Sequence, residues 1–509
     1  MPKSLHFLFS ALIALATPCL VLADAEYEIR SILRGANIGK TKVAVSIDDL
    51  SANRSIMRVN ADEPMIPASN LKLVVSAAAL ATLGPDFHFE TKLVWYNAPL
   101  KANDPDTRGR AILKIIGDGD PAFGDDAVLR AHGNQVADAE ALVQVWVDAV
   151  KQAGITRIDT ILIDDSVFDQ EFVHESWPED QLNRWYCAQV AGLNFFTNCL
   201  DIYPVPSSVQ GDSPFVRMLP ETNAVTTTNV AVTGNADTFW ISRKLGTNEL
   251  TYRGTVKHKR LKPVNVTVHD APILFGKIFA ERLFKAGIAV GEVRRPNSED
   301  PLLEGKDLHI VRTPISIVLN RCNKNSQNLY AECLFKRTGR KVTGASGSFE
   351  NGAAGVRLFL QKQIGTAAAS VQTADGSGMS RKNSVTARVI TDLLGVMHND
   401  PKLSKVYRDS LATAGIDGTI DDRMVELKGR VFGKTGYING VSCLSGYLFI
   451  PNNPRGTGAN SAADAELDPK DCRVIAFSLL FNDFSPSLSV LQKLQDDIVR
   501  KLDQELRPR

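Results

Sequence analysis

Length is the first constraint on this chain. A single hydrophobic core stops growing at roughly 250–300 residues, so 509 residues predict two or three domains. No fixed-period repeat or long low-complexity tract offers another use for that length. The formal net charge of +1 argues against a nucleic-acid binder, which carries a basic surplus.

The N-terminus reads as an address. Lys3 precedes an apolar run from Phe7 to Leu22, followed by small residues at Ala23 and Ala25. A basic start, a short apolar core and an Ala-x-Ala site predict a cleaved signal peptide over residues 1–23 and a periplasmic protein. As a membrane anchor the run is shorter than the ~20 residues of a span and holds Pro18. Cys19 lacks the small-residue context of a lipoprotein signal. Six cysteines remain: Cys187, Cys199, Cys322, Cys333, Cys443 and Cys472. An even count in an exported protein permits disulfides without specifying them. A hairpin of the last strands would put Cys443 and Cys472 at opposite ends, at roughly 3.3 Å per residue beyond disulfide reach. Cys187 with Cys199 is the better candidate. No Cys-x-x-Cys or His-Glu-x-x-His pattern is present, so no metal or cofactor is expected.

Periodicity and punctuation place the elements. Pro67 to Leu83 predicts a helix, with proline at its start, alanine dense from Ala77 to Ala81, and Gly84-Pro85 as a stop. A helix over 139–153 and a strand over 160–163 form a βαβ-like piece. Helical regions follow over 314–338 and 386–398. Residues 430–437, 443–450 and 473–481 predict an antiparallel meander, with a solvated loop over 451–471 rich in Gly, Asn, Ala and Asp. The last helix, 488–506, carries Leu491, Leu494, Ile498 and Leu502 on one face. Its mixed-charge polar face favours packing on the sheet over lying on a membrane.

Three short motifs bear chemistry. In Ser69-Asn70-Leu71-Lys72 the serine and lysine are three apart on a helix and share a face, so the amine can approach the hydroxyl. Ser69 also sits near the helix start, where the dipole favours developing negative charge. Ser326-Gln327-Asn328 is a polar triplet that a plain loop explains equally well. Lys434-Thr435-Gly436 falls on a predicted strand, which can present a cation and backbone amides along a cleft while glycine gives clearance. A phosphate-binding loop would need glycine where Lys428 stands and a helix where this segment reads as strand. A Ser-His-Asp hydrolase is unsupported, since there is no Gly-x-Ser-x-Gly elbow and no histidine near a nucleophile.

Together, and in this order, the three motifs are those of the β-lactamase and penicillin-binding fold. With its flanks the chain resembles the DD-carboxypeptidase/endopeptidase family of low-molecular-mass penicillin-binding proteins. The resemblance rests on Pro67 through Leu73, Leu83-Gly84-Pro85, Gly119-Asp120-Pro121 and Asp375 through Arg381. It extends to Ala414 through Thr419 and to the run from Lys434 through Gly440-Val441 to Leu444-Ser445-Gly446. That family has a long insertion between its first two motifs, and here Ser69 and Ser326 are widely separated. Met379 replaces the family's usual leucine, a volume-conserving change. Tyr437 stands where a small hydroxyl residue is frequent, which would narrow the cleft.

The resemblance implies an α+β catalytic domain, an antiparallel sheet flanked by helices, formed from residues 24–90 and 306–509. Residues 91–305 would be one or two inserted α/β domains. It implies a periplasmic serine-type D-Ala-D-Ala carboxypeptidase or DD-endopeptidase acting on peptidoglycan peptides that end in D-Ala-D-Ala. β-Lactams would be covalent inhibitors, with no nucleic-acid partner and at most peripheral membrane contact. Ser69 would be the nucleophile and Lys72 the base, with Ser326 relaying a proton and Asn328 holding Lys72 or the substrate amide. Lys434 and Thr435 would bind the terminal carboxylate, helped by Arg381. Backbone N–H groups of Ser69 and Tyr437 would form the oxyanion hole, and Gly436 would belong to the substrate-binding run with Thr435 and Tyr437. Asp375 would line the site beside Arg381, the alternative being that the two form a structural pair in their loop. Asp164, in a stretch resembling part of the family's inserted domain, would meet the amine of a diamino acid. A β-lactamase of the same fold and a non-catalytic β-lactam sensor are the competing readings.

Overall fold

Residues 71–83 offer no polar face to water, and a helix apolar all round has to lie inside the protein. In the structure, a computed structural model that describes residues 24–98, 110–132, 136–298, 300, 305–453 and 469–508, that helix is central. Every residue from Leu71 to Leu80 is buried. The expected signal peptide and residues 454–468 of the expected loop lie outside the described residues.

The described chain forms two compact units. The first takes in residues up to Pro85, Leu319–Gln327 and Ala353–Arg509. Its strands are β1 (Lys42–Asp49), β2 (Arg54–Val59), β3 (Ala412–Thr413), β4 (Val431–Ile438), β5 (Val441–Pro451) and β6 (Cys472–Asn482). They make one six-stranded sheet in the order β3-β4-β5-β6-β1-β2, antiparallel throughout. Its main helices are α1 (residues 24–35), α2 (Leu71–Leu83), α3 (Ala387–Asn399) and α4 (Leu488–Leu506).

Helices cover both faces of this sheet, so β5 is buried from Val441 through Ile450. On one face Ile29 of α1 and Leu491, Ile498 and Leu502 of α4 pack with Val45, Leu444 and Phe477. The sequence expectation for the last helix is met here. On the other face the hydroxyls of Ser46 (β1) and Thr391 (α3) are 2.6 Å apart. Tyr447 of β5 donates to the Leu394 carbonyl (2.8 Å). The meander β4-β5-β6 is the one expected from the sequence. Cys443 is opposite Leu480 and Cys472 opposite Pro451, at the two ends of the β5–β6 pair.

The second unit comprises Asp86–Val318 and Asn328–Gly352. Residues 306–318 and 328–352, expected with the sheet of the first unit, therefore group with this one. The reason is local pairing: Lys306–Pro314 is hydrogen-bonded along His88–Ala98, and Tyr330 donates to Asp125 (2.7 Å). A mixed five-stranded sheet forms its larger part. Arg110–Ile116 and Arg157–Asp164 run parallel, joined through helix Ala139–Gln152, as the βαβ pattern predicts. Trp146, Phe275 and Phe279 fill the core beneath. A smaller β-lobe has its own cluster around Leu250, Tyr252 and Val266.

The cysteine expectation needs correction. Among the described residues no disulfide forms, and Cys187 and Cys199 are buried thiols. Burial pushes both up to about 12, far from the thiolate that disulfide chemistry needs.

Candidate active site

The first unit gathers Ser69, Lys72, Ser326, Lys434 and Thr435. Ser69 lies in a tight turn, Ala68–Asn70, leading into α2. Lys72 is one turn on, and its Nζ donates to Ser69 Oγ at 2.8 Å. The same amine donates to the Ser377 carbonyl at 2.8 Å. Lys72 is 0% exposed, while Ser69 is half-buried and so is open to an incoming group.

Two glycines explain how the turn is clamped. Gly378 has φ +84°, and a Cβ there would fall 1.8 Å from the Ala68 carbonyl oxygen. Gly436 of β4 passes so close that a Cβ would meet the Pro67 carbonyl oxygen at 2.8 Å and Asn70 N at 3.1 Å. The glycine of Lys-Thr-Gly thus lets β4 run directly against the turn that carries Ser69. Asn70 fastens the other side, donating to Ser445 Oγ (2.7 Å), which donates on to Ser478 Oγ (2.9 Å). Ala68 itself has φ 46°, left-handed backbone without glycine's freedom, a kind of strain that concentrates at functional sites.

Lys434 is also 0% exposed. Its Nζ donates to Ser326 Oγ and to the Thr435 carbonyl, each at 2.8 Å. Burial first, and then the charge of Lys72, hold this amine well below the ordinary lysine range. The coupling places the two amines in one electrostatic centre. Ser326 has φ 57°, and its segment is pinned by its neighbours. Asn323 donates to Ser76 Oγ on α2 (3.2 Å) and to Ser410 Oγ (2.9 Å). Lys324 pairs with Asp417 at 2.6 Å. Thr435 Oγ1 lies 2.7 Å from Thr419 Oγ1.

The remaining expected residues divide. Asp375 is 0% exposed. Its carboxylate accepts from Gly378 N (2.9 Å), Ser380 N (2.7 Å) and the Asn383 amide (2.7 Å). It shapes the loop that supplies Gly378 and the Ser377 carbonyl. Arg381 is exposed and donates to the Asn439 carbonyl at the β4–β5 turn. Tyr437, which precedes that turn on β4, is 56% exposed.

Asn328 and Asp164 belong to the second unit. Asn328 opens helix Asn328–Thr343 and donates to the Tyr186 carbonyl (2.8 Å). Asp164 pairs with Lys114 at 2.7 Å. Burial acts to raise its carboxyl, but hydrogen bonds from Lys114 and Ser166 and the charge of Lys114 outweigh it and hold it low. Sequence reasoning missed Thr419, Asn323 and the Ser377 carbonyl. Thr419 falls inside the run Ala414–Thr419 that marked the resemblance, but nothing in a lone threonine signals a partner on another strand.

Chemically, the centre offers a hydroxyl 2.8 Å from a buried amine, within range for proton transfer. A second amine–hydroxyl pair and a strand edge lie beside it. No cluster able to hold a metal occurs among the described residues, and no described helix is long and apolar enough to cross a membrane.

Comparison with known proteins gives the family and the fold. The profile of the D-Ala-D-Ala carboxypeptidase 3 (S13) family matches residues 25–505. A D-alanyl-D-alanine carboxypeptidase of Actinomadura sp. (strain R39) is 30% identical over 449 residues, 84% of this chain and 79% of that one. The D-alanyl-D-alanine carboxypeptidase DacB of Haemophilus influenzae is 25% identical over 436 residues, 83% of this chain and 84% of that one. The crystal structure of penicillin binding protein 4 from Haemophilus influenzae superposes with a TM-score of 0.72 at 22% identity, covering 93% of this chain and 99% of that one.

Proposed function

This chain belongs to the D-Ala-D-Ala carboxypeptidase 3 (S13) family, and we propose that it is a serine DD-peptidase whose reaction runs through Ser69. The observation that carries the reading is the pair of buried amine–hydroxyl contacts, Lys72 to Ser69 and Lys434 to Ser326. Ser69 Oγ attacks the carbonyl of the penultimate D-alanine while Lys72, in its neutral form, takes the hydroxyl proton. The tetrahedral oxyanion is received by the backbone N–H groups of Ser69 and Tyr437. As the C–N bond breaks, Ser326 delivers a proton to the leaving amine and is reprotonated through the Lys434–Lys72 centre. Water then attacks the acyl-enzyme ester, restoring Ser69 and releasing the shortened peptide. Lys434 and Thr435, with Arg381, bind the carboxylate of the substrate. Asn328 steadies the substrate amide, and Asp375 acts by shaping its loop.

Ser69, Lys72, Ser326 and Lys434 lie in the first unit, and residues 91–305 form the inserted region, where Asp164 contacts the amine of a diamino acid. Carboxypeptidase and endopeptidase action use the same centre, since a D-alanyl cross-link to a D-centre also presents a carboxylate. Peptidoglycan stem peptides are the substrates and β-lactams the covalent inhibitors, in the periplasm after removal of residues 1–23. A β-lactamase would share every contact above and differ in deacylation rate.

The test is fluorescent penicillin with timed loss of label. A peptidase holds its label long, a β-lactamase sheds it quickly, and a non-catalytic sensor never takes it. Ser69→Ala should abolish labelling while retaining the thermal unfolding midpoint. Persistent labelling at another serine, read by intact mass, would overturn the assignment.

A further inference from the structure

We infer that the outer face of the small β-lobe in the second unit docks on an anionic lipid bilayer. Seven of the sixteen large hydrophobic side chains exposed among the described residues fall between Val209 and Leu261. They are surplus to the lobe's own core, which includes Leu200, Ile202, Ile241, Leu250 and Val266. Leu261 is 88% exposed, Phe215 68% and Trp240 51%.

Register and hydrogen bonds bring four of them, Trp240, Val230, Phe215 and Leu261, towards one end of the lobe. Trp240 is opposite Arg253 in an antiparallel pair, and the guanidinium lies 5.8 Å from the Trp240 ring. The parallel partner strand ends with Asn229 opposite Tyr252. Val230, whose N–H bonds the Tyr252 carbonyl at 3.0 Å, therefore falls beside Arg253. Asn229 donates to the Pro214 carbonyl (2.9 Å), drawing Phe215 to the same end. Arg260 N reaches the Pro204 carbonyl at 3.5 Å, and Pro204 is the register partner of Val216. Leu261 and Phe215 are thus each one residue along the chain from this contact.

Charge identifies the occupant. Residues 253–262 hold five cations, Arg253, Lys257, Lys259, Arg260 and Lys262, and no carboxylate, in a chain whose net charge is +1. The facing acid, Asp237, is already engaged. It accepts from Lys257 N and His258 N at 2.9 Å and from the His258 ring at 2.7 Å. A leucine flanked by arginine and lysine, with a tryptophan under an arginine, is suited to the lipid headgroup layer. There the apolar tips enter the acyl boundary while the cations meet phosphates. A soluble polyanion would use the cations and leave Leu261 and Phe215 in water.

The test is co-sedimentation of the full protein with phosphatidylcholine vesicles, with and without phosphatidylglycerol. Binding is expected only with the anionic lipid and is expected to fall with added salt. Lys257→Glu, Lys259→Glu and Lys262→Glu combined should cut the bound fraction about tenfold or more. Leu261→Ser should weaken binding severalfold while keeping every charge. Each variant is checked for an unchanged thermal midpoint. Absence of binding, binding that survives the charge reversals, or binding to cell-wall polymer or to a second copy of the chain alone would overturn the inference. Loss with the charges but none with Leu261→Ser would overturn the bilayer as well.

Discussion

Three lysines are fully buried among the described residues, and the two units hold them differently. In the second unit Lys336 is 0% exposed, but its amine pairs with Asp169 at 2.7 Å, bonds the Glu171 carbonyl at 2.7 Å and lies 4.2 Å from the Phe349 ring. Its charge is answered where it sits. In the first unit Lys434 is equally buried, yet its partners are a hydroxyl and a carbonyl, and its charged neighbour is another lysine. Among the described residues no carboxylate pairs with it. One arrangement stabilises a cation as a strut. The other keeps a cation poorly compensated, so that an incoming carboxylate or a proton shift changes its energy most.

The widest gap this contrast predicts is between lysine replacements. Lys434→Ala should lose roughly 2–4 kcal/mol of transition-state stabilisation in kcat/KM, for a simple acetylated D-alanyl-D-alanine peptide and for a cross-linked one alike. Lys434→Arg should recover little, since a planar fork does not replace a compact ammonium. Lys336→Met should instead cost about 1–3 kcal/mol of stability with kcat/KM of the folded fraction near that of the parent. If Lys434→Ala spared the simple peptide, or Lys336→Met lost turnover without losing stability, the contrast would fail.

The second unit also contains a case that sharpens the comparison. Asp120 is 1% exposed and is held by neutral groups, the Thr313 hydroxyl at 2.6 Å and Ala122 N at 2.9 Å. Burial lifts it from 3.8 to about 6. The native state then binds more protons than the unfolded state between pH ~4 and ~6, so stability is greatest below that window and falls as pH rises through it. By the ~1.4 kcal/mol per pKa unit of linkage, the loss reaches about 2–3 kcal/mol above pH ~6. Asp120→Asn keeps an acceptor for Ala122 N and has no charge to bury. Its denaturation midpoint should therefore vary less between pH 4.5 and 7.5 and exceed the parent's at the upper end. Parallel midpoint curves for the two proteins would mean that Asp120 carries no such cost, and that neutral partners alone do not store strain here.

The parts of this molecule that follow local rules were legible in the sequence. The helix from Pro67, the meander of β4, β5 and β6, and the apolar face of the last helix each carry their signal within one short segment. Ser69 and Lys72 are three residues apart, so helix geometry alone joins them. What escaped depends on pairings between distant segments. The grouping of 328–352 with the second unit comes from contacts such as Tyr330 with Asp125, which no periodicity encodes. Asp375 reads as a site residue by its motif, yet its carboxylate closes its own loop. The thiols Cys187 and Cys199 show the limit of counting, since an even number says nothing of what burial does to each.

The smallest predicted effect concerns Thr419, which falls in a motif run but to which the sequence assigns no role. Its Oγ1 lies 2.7 Å from Thr435 Oγ1, and it sits in the loop whose Asp417 pairs with Lys324, two residues before Ser326. One loop therefore steadies both the serine segment and the strand hydroxyl proposed to bind carboxylate. Thr435 donates this bond to Thr419 Oγ1, so the pair fixes the Thr435 side-chain rotamer until an incoming carboxylate takes over that proton. Thr419→Val keeps the shape and removes the partner, so Thr435 loses that hold on its rotamer without losing its place. The expected cost is about 1 kcal/mol, a factor of roughly five in kcat/KM carried mainly by KM. Thr419→Ser should restore most of it, because the hydroxyl rather than the methyl is what matters. Acylation of Ser69 by a β-lactam ester whose carboxylate is masked should be unaffected by either change. If Thr419→Val slowed that ester as much as the free acid, Thr419 would be a structural support for β4 rather than a positioning residue for Thr435.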